Sequence, residues 1–509
     1  MRETTQQLQV EQTVAELLST AVAEAEVLLD SDLPAAVRFL CCYPRMAALS
    51  AQAAQGAVEL AGAVEFTVLY EAEEGVFSAG VRRPFTHRVI AEEVQTDMEV
   101  EVASVVAPAA VRRVDERCAR VECMVEMNIR VTQTHKTDCV AGLEGDGLEC
   151  QSQNVRWAYP ACATAGAATV RQDVELPPED AEVERLLFSD GQVQVGRAMM
   201  DEEGVRVEGH VALNLCYATA QPNLPMAWAQ VEVPFEAVLD GLNMAEDVLL
   251  MATGNVQDMS IRVHADVNDA RRILSVDIPI TLRVVGYACC AQPLLSDAFA
   301  LDRELEVTRQ PMELIGQPRL QRQEVTVSGQ LALPPNLPEP ERLLGAVSAP
   351  LVDSCLVSKG KLQLSGRLAC VAFYAGQEQA ALFAIPGTAA FEAELLVEGL
   401  SANDRVQIKL QAGQTTLVRS MQGLEVRARV NAEVCSRQVM EQQVVTGVAE
   451  GEPLDLGNLS DLMLLAAGPG DTLWSLARSC RVPVAMLKAC NPFLQEREVQ
   501  PTDRLVIVR

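Results

Sequence analysis

Aromatic residues make up only 4% of the 509 residues, and histidine occurs four times. His87, His135, His210 and His264 are isolated from one another, with no pair at metal-ligand spacing. Basic residues are also in short supply: 41 Lys and Arg face 70 Asp and Glu, for a net charge of −29. A phosphate-binding surface needs concentrated cations, so neither nucleic acid nor an anionic membrane suits such a chain. No run of about eighteen apolar residues exists, so no transmembrane helix is expected. The polar start, Met-Arg-Glu-Thr-Thr, is not followed by the apolar stretch of a secretory signal. The fifteen cysteines form no CxxC and are scattered singly or as neighbours, as at Cys41-Cys42 and Cys289-Cys290. Cys216 and Cys370 sit in apolar alternating stretches, where a thiol behaves as a small hydrophobe. Reduced thiols in a cytoplasm are therefore the expectation.

The chain also lacks the constellations that carry chemistry. Gly142, Gly145 and Gly147 have neither the lysine nor the following helix of a phosphate loop. Cys118, Cys123 and His135 are irregularly spaced along an alternating strand, a poor metal set. A non-enzymatic protein without metal or cofactor is the expectation.

What the chain does have is repetition. Val58–Tyr70 (VELAGAVEFTVLY) alternates apolar and polar residues with a glycine at the fifth place, and Val205–Tyr217 and Leu362–Tyr374 repeat it without a gap. Strict alternation of this length reads as a strand with one face buried. Gly62, Gly209 and Gly366, each eight residues before the tyrosine, predict a bulge or a close backbone approach. Twenty-four residues before each glycine stands an arginine followed by two large apolar residues: Arg38-Phe39-Leu40, Arg185-Leu186-Leu187 and Arg342-Leu343-Leu344. These arginines are expected to hold a carboxylate or backbone carbonyls within each domain. Leu29, Leu176 and Leu333 lie nine residues further upstream, and each copy later returns to a phenylalanine, Phe85, Phe235 or Phe391.

A repeat of about 150 residues is too long for a solenoid unit and right for a domain. Helical periodicity is scarce. The fold expected is therefore mainly β: three tandem antiparallel β-sandwich-like domains over 1–140, 150–292 and 310–440. Residues 132–153 read as a loop or linker, and 441–461 as an acidic linker. Gln12–Leu18 could be a helical turn or two, with strand preferred by analogy to the later copies. A charge at Val68 or Leu213 should cost several kcal/mol, as an unpaired buried ion does.

Residues 462–509 differ in kind. Leu473, Leu476, Ala477 and Cys480 fall on one stripe of a short helix, with Asp471 or Thr472 as its N-cap. Pro483–Cys490 makes a second short helix, stopped by Asn491-Pro492, with Asn491 in the left-handed C-terminal position. Leu505–Val508 can pair with Met463–Ala467, giving the order β-α-α-β. The segment carries six basic residues against four acidic, so a mildly basic module ends a strongly acidic chain. That charge suits an acidic protein partner, and it equally suits contact with the chain's own acidic domains.

The stretch Gly-Pro-Gly470-Asp471-Thr472-Leu473-Trp474 together with Asn491-Pro492 resembles the LysM domain. Pro501-Thr502-Asp503 departs from the Pro-Gly-Gln usual before that family's last strand. The resemblance implies binding of N-acetylglucosamine-containing glycans, peptidoglycan included, in a groove near Gly470, Asp471, Thr472, Asn491, Pro492 and Phe493. Trp474 is either half exposed for a ligand or packed on the second helix. The structural alternative is that Asp471 and Asn491 serve only as caps.

Three such repeats followed by one LysM resemble the SPOCS-domain, SipL-like coat morphogenetic proteins of endospore formers. The resemblance implies a scaffold of spore coat and cortex assembly at the forespore surface, on the mother-cell side, in the cytoplasm. There the LysM would dock the coat-morphogenesis ATPase, and self-association of the β domains is possible. The alternative function is a peptidoglycan-binding protein of the spore cortex or cell wall.

Overall fold

A computed structural model describes residues 1–508 apart from 108, 110, 203, 222–223, 241–247, 336, 377–381, 422 and 456–461. The first repeat contains β1 (Arg2–Leu28), β2 (Arg38–Ala54), β3 (Ala57–Ala72), β4 (Gly75–Ile90), β5 (Glu99–Val106), β6 (Val111–Arg113) and β7 (Cys118–Glu144). Its sheet β2-β3-β4 packs on the sheet β1-β7-β5, with β6 also paired to β7. Val58, Phe66 and Val68 from one sheet and Val27, Val125 and Ile129 from the other share one core. The alternation read from the sequence thus becomes the inner faces of an antiparallel sandwich. Gln12–Leu18 is strand, as preferred.

The second repeat follows the same plan with β8 (Leu148–Glu175), β9 (Arg185–Asp201), β10 (Gly204–Ala218), β11 (Met226–Asp240), β12 (Val248–Val256), β13 (Ser260–Ala265) and β14 (Arg271–Ala300). Its sheets are β11-β10-β9 and β12-β14-β13, with β8 on β14. The third has β15 (Arg303–Ile315), β16 (Arg319–Leu331), β17 (Pro340–Ser358), β18 (Lys361–Gly376), β19 (Leu382–Leu396), β20 (Arg405–Ser420), β21 (Gly423–Arg437) and β22 (Val439–Pro453). Here the two sheets join into one of six strands, β16-β21-β20-β17-β18-β19, through the single pair Ala346 and Thr415.

The repeated glycines occupy one site three times. Gly62, Gly209 and Gly366 lie cross-strand from Phe85, Phe235 and Phe391. A Cβ there would stand 2.7 Å from the Ala48 carbonyl oxygen, 2.3 Å from that of Gln194 and 2.2 Å from that of Leu351, and each would also strike the phenylalanine ring. The glycine is needed because a neighbouring backbone and an aromatic ring both close on it. The phenylalanine that each copy keeps downstream is the lid over that glycine.

Arg38 and Arg185 meet their expectation only in part. Arg38 does hold Glu71 of its own repeat at 2.7 Å, yet it also donates to the Leu382 carbonyl of the third repeat. Arg185 donates to the Val76 carbonyl of the first repeat at 3.0 Å, and its guanidinium lies 3.8 Å from the Phe77 ring centroid. The carbonyls these two arginines hold thus belong to a neighbouring repeat. In a ring of contacts, β4 meets β9, β11 meets β17, and β19 returns to β2. Leu69, Cys216 and Phe373, each just before the conserved-spacing tyrosine, meet in one cluster together with Val76, Met226 and Leu382. All fifteen cysteines are free, and burial pushes the thiols of Cys123 and Cys370 up to about 12.

Two further expectations are corrected. Residues 132–153 are not a loop: β7 runs to Glu144, and β8 starts at Leu148 after a turn in which Gly147 has φ 70°. Likewise β22 carries strand to Pro453 within the supposed linker 441–461, of which 456–461 fall outside the described residues. These stretches form three two-stranded ribbons: the start of β1 on the end of β7, the start of β8 on the end of β14, and β15 on β22. Leu8 and Val10, Val155 and Trp157, and Met312 and Leu314 bring one apolar face of each ribbon into a shared core. The polar residues that suggested linkers lie on the outer faces, a period-two pattern with one side solvated.

Candidate functional site

The C-terminal module comprises β23 (Leu462–Ala466), α1 (Leu473–Cys480), α2 (Val484–Cys490) and β24 (Arg504–Val508). Strands β23 and β24 pair antiparallel, Leu462 with Val508 through Ala466 with Arg504. Thr472 is the N-cap of α1: its hydroxyl accepts from the Ser475 amide at 3.1 Å, and the Ser475 hydroxyl accepts from the Thr472 amide at 2.9 Å. This reciprocal pair satisfies two amides left open at the helix start. Asp471 instead braces the preceding loop, accepting from the Gly468 amide at 2.7 Å.

Asn491 departs from its expected geometry. Its φ of −130° lies outside the left-handed region, and the left-handed cap in this module is Arg481 (φ 53°). Asn491 is 2% exposed. Its side chain donates to the Leu487 and Val506 carbonyls at 2.9 and 2.7 Å and accepts from the Val506 amide at 2.8 Å. It therefore ties α2 to β24, as a buried amide with its groups satisfied should. The short 3-10 turn Pro492–Gln495 follows, and Arg497 lies over the Phe493 ring.

In the turn before β24, Thr502 stands where a LysM domain usually has glycine and adopts φ 77°. Arg497 clamps Asp503 with two bonds of 2.7 and 2.8 Å, and the Gln500 amide adds a third at 2.9 Å. These bonds, the Arg497 pair first, hold the Asp503 carboxyl down to about 2.

Trp474 is engaged with the rest of the chain. Its indole Nε1 donates to Asp297 Oδ2 at 2.7 Å, and Arg478 donates to the same oxygen at 2.7 Å. Arg309 donates to Asp297 Oδ1 at 2.5 Å. The Phe299 ring meets Trp474 edge-on at 5.0 Å, and Arg481 reaches the Ala300 carbonyl and Glu304. Asp297, 9% exposed at the end of the second ribbon, thus gathers three donors from two parts of the chain. Sequence reading missed Asp297, Phe299 and Arg309 because they lie between the expected domains. The basic charge of the module was the one available signal.

Of the expected site residues, Gly470, Thr472 and Pro492 are exposed, Asp471 and Phe493 are half-buried, and Asn491 is buried. Trp474 packs on the ribbon rather than on α2 alone. The groove-side loops therefore stay open while the Trp474 side is occupied.

The repeats also line a half-open cavity of about 1760 Å³. Tyr43 donates to Asp190 there at 3.1 Å, and burial raises that carboxyl. At the ribbon end Arg437 bridges Glu11 and the Tyr287 hydroxyl, both at 2.5 Å. These groups are engaged with one another rather than converging on an open point. Among the described residues no group of three or more His, Cys, Asp and Glu could hold a metal ion. No described helix is long and apolar enough to cross a membrane.

Taken together, fold and site define a mainly β protein of three sandwich-like repeats that carries a small β-α-α-β module. The family model described as SipL, SPOCS domain matches residues 40–112, and the LysM domain model matches residues 468–508. No curated protein and no solved structure matches the chain. The chain therefore pairs a SipL SPOCS domain with a LysM domain, both binding domains, which points to a spore-associated protein of the peptidoglycan-binding class.

Proposed function

We propose that the chain is a non-enzymatic scaffold of endospore envelope assembly on the mother-cell side of the forespore. Its LysM domain is the module that docks the coat-morphogenesis ATPase. The observation that carries this reading is the Asp297 clasp. A module tied through Trp474, Arg478 and Arg481 to its own ribbons is carried as a rigid outpost, which suits presentation to a large assembly. The shared ribbon core joins the ribbon ends of the three repeats. A second reading, glycan binding, is favoured by the exposed Gly470 and Thr472 loop.

The test uses the full chain, a form lacking residues 462–509, and the purified coat ATPase beside purified peptidoglycan. Docking is expected to give ATPase capture that is lost with the deletion, and little sedimentation with peptidoglycan. Sedimentation with peptidoglycan and no ATPase capture would reject the scaffold reading and leave the glycan one.

A further inference from the structure

The repeats share a fold but not a surface. On the outward face of the sheet β1-β7-β5, Val22 of β1 and Met124 of β7 are cross-strand partners, 60% and 56% exposed. Leu18 of β1, 85% exposed, lies further along that face, where it borders the cavity between the repeats and Arg367 of the third repeat reaches Glu126 at 3.7 Å. By register, the matching pair is Thr169 and Pro279 in the second repeat and Thr326 and Arg429 in the third. Leu18 corresponds to Ala165 and Arg322. The sandwich accepts small, polar or cationic side chains at these places, so its packing does not require the apolar residues of the first repeat.

The next outward pair along the same strands is Glu24 opposite Glu122. Like charges directly opposite destabilise a sheet. Neither carboxylate forms an ion pair among the described residues; Arg120, next on the same face, pairs with Glu26 and also feels the charge of Glu24. The matching pair in the second repeat is Arg171 and Asp277, an ion pair at 2.9 Å. In the third it is Ser328 and Arg427. The first repeat thus sets two glutamates opposite one another where the second pairs an arginine with an aspartate, beside an apolar pair that neither of the others keeps.

We propose that this face of the first repeat docks a basic amphipathic segment of a protein partner. A Lys or Arg of that segment sits between Glu24 and Glu122, and its aliphatic side chains cover Val22, Met124 and Leu18. Charge complementarity selects the occupant: a second copy would present the same glutamates, whereas a cationic segment removes their repulsion.

The test takes its variants from the protein's own repeats. V22T/M124R installs the pair of the third repeat, and E24R installs the arginine that the second repeat has. Binding of the full chain is read by fluorescence anisotropy with a labelled amphipathic Lys–Leu peptide, beside Glu–Leu and Lys–Ser peptides of equal length. The wild type should bind the Lys–Leu peptide at least tenfold more tightly than either control, and each variant should lose at least tenfold. E24R should melt no lower than wild type, since it removes a repulsion, so its loss is not unfolding. Equal affinity in wild type and both variants would mean general attraction to an acidic body and would overturn the proposal. Absence of binding, or equal binding of the Glu–Leu peptide, overturns it as well. Self-association of the wild type in sedimentation that V22T/M124R abolishes assigns the face to a second copy and has the same effect.

Discussion

The β repeats and the LysM module are held together by opposite means. Each sandwich relies on alternating aliphatic residues far apart in sequence, such as Val27, Val68 and Val125, brought into one core. The LysM module relies on short-range devices: the Thr472–Ser475 cap, the Asn491 bridge and the Arg497–Asp503 clamp. It has a core of its own, around Leu476, Leu487 and Leu505, and Phe299 of the second ribbon belongs to it. A domain of this size buries little surface by itself. It therefore draws on directional bonds and on a neighbour, whereas the sandwiches draw on area.

The comparison is broken most severely from the sandwich side. Val68 is fully buried, so Val68→Asp should cost about 3–5 kcal/mol, and denaturant unfolding should show a much lower midpoint. An unchanged midpoint would mean that this core contributes little.

Asp297→Ala attacks the join. Removing the carboxylate leaves Trp474 and Arg478 without their acceptor. Because the arginines are partly solvated, the coupling lost should be about 2 kcal/mol, below the value for a fully buried pair. Faster amide exchange confined to residues 462–508 is the expected signature. Exchange unchanged there would mean that the module holds its place without the clasp.

Gly209→Ala sharpens the comparison among the repeats, since a Cβ must displace the Gln194 carbonyl and the Phe235 ring. It should cost about 1–3 kcal/mol by overpacking, and Gly62→Ala and Gly366→Ala should fall in the same range. A spread from zero to the full cost would show that the three sites are not equivalent in energy.

The smallest effect concerns pH. The Asp503 carboxyl is held down to about 2, below its unfolded value of about 4, so its contribution is present above the unfolded value. It is lost as pH falls through the folded one. Wild type and Asp503→Asn should therefore differ in stability by a constant amount above about pH 5 and converge towards pH 2. A difference that grows on acidification would refute the assignment.

Much of this was legible in the residue order. Alternation marks Val58–Tyr70, Val205–Tyr217 and Leu362–Tyr374 as half-buried strands, because a side-chain period of two is a local property. The exclusion of a side chain at Gly62, Gly209 and Gly366 was foreseeable too, though not the phenylalanine that enforces it. In the LysM module the helix stripe and an N-cap at Asp471 or Thr472 followed from a dozen neighbouring residues, whereas the left-handed position fell to Arg481 and not to Asn491.

What the residue order could not state is where a polar group ends up when its partner is hundreds of positions away. Residues 132–153 and the acidic stretch after residue 440 have the composition of linkers, yet they are strand up to Glu144, from Leu148 and as far as Pro453, because three ribbons bury one another's apolar faces. Arg38 is legible as a repeated arginine, but its acceptor, the Leu382 carbonyl, exists only once the first and third repeats meet. Trp474 and Asp297 are 177 residues apart, and nothing near either names the other. Local periodicity determines strand, helix and cap. The closing of the repeats into a ring, the ribbon core and the docking of the LysM module depend on which surfaces remain to be covered after those elements form, and that is decided in three dimensions.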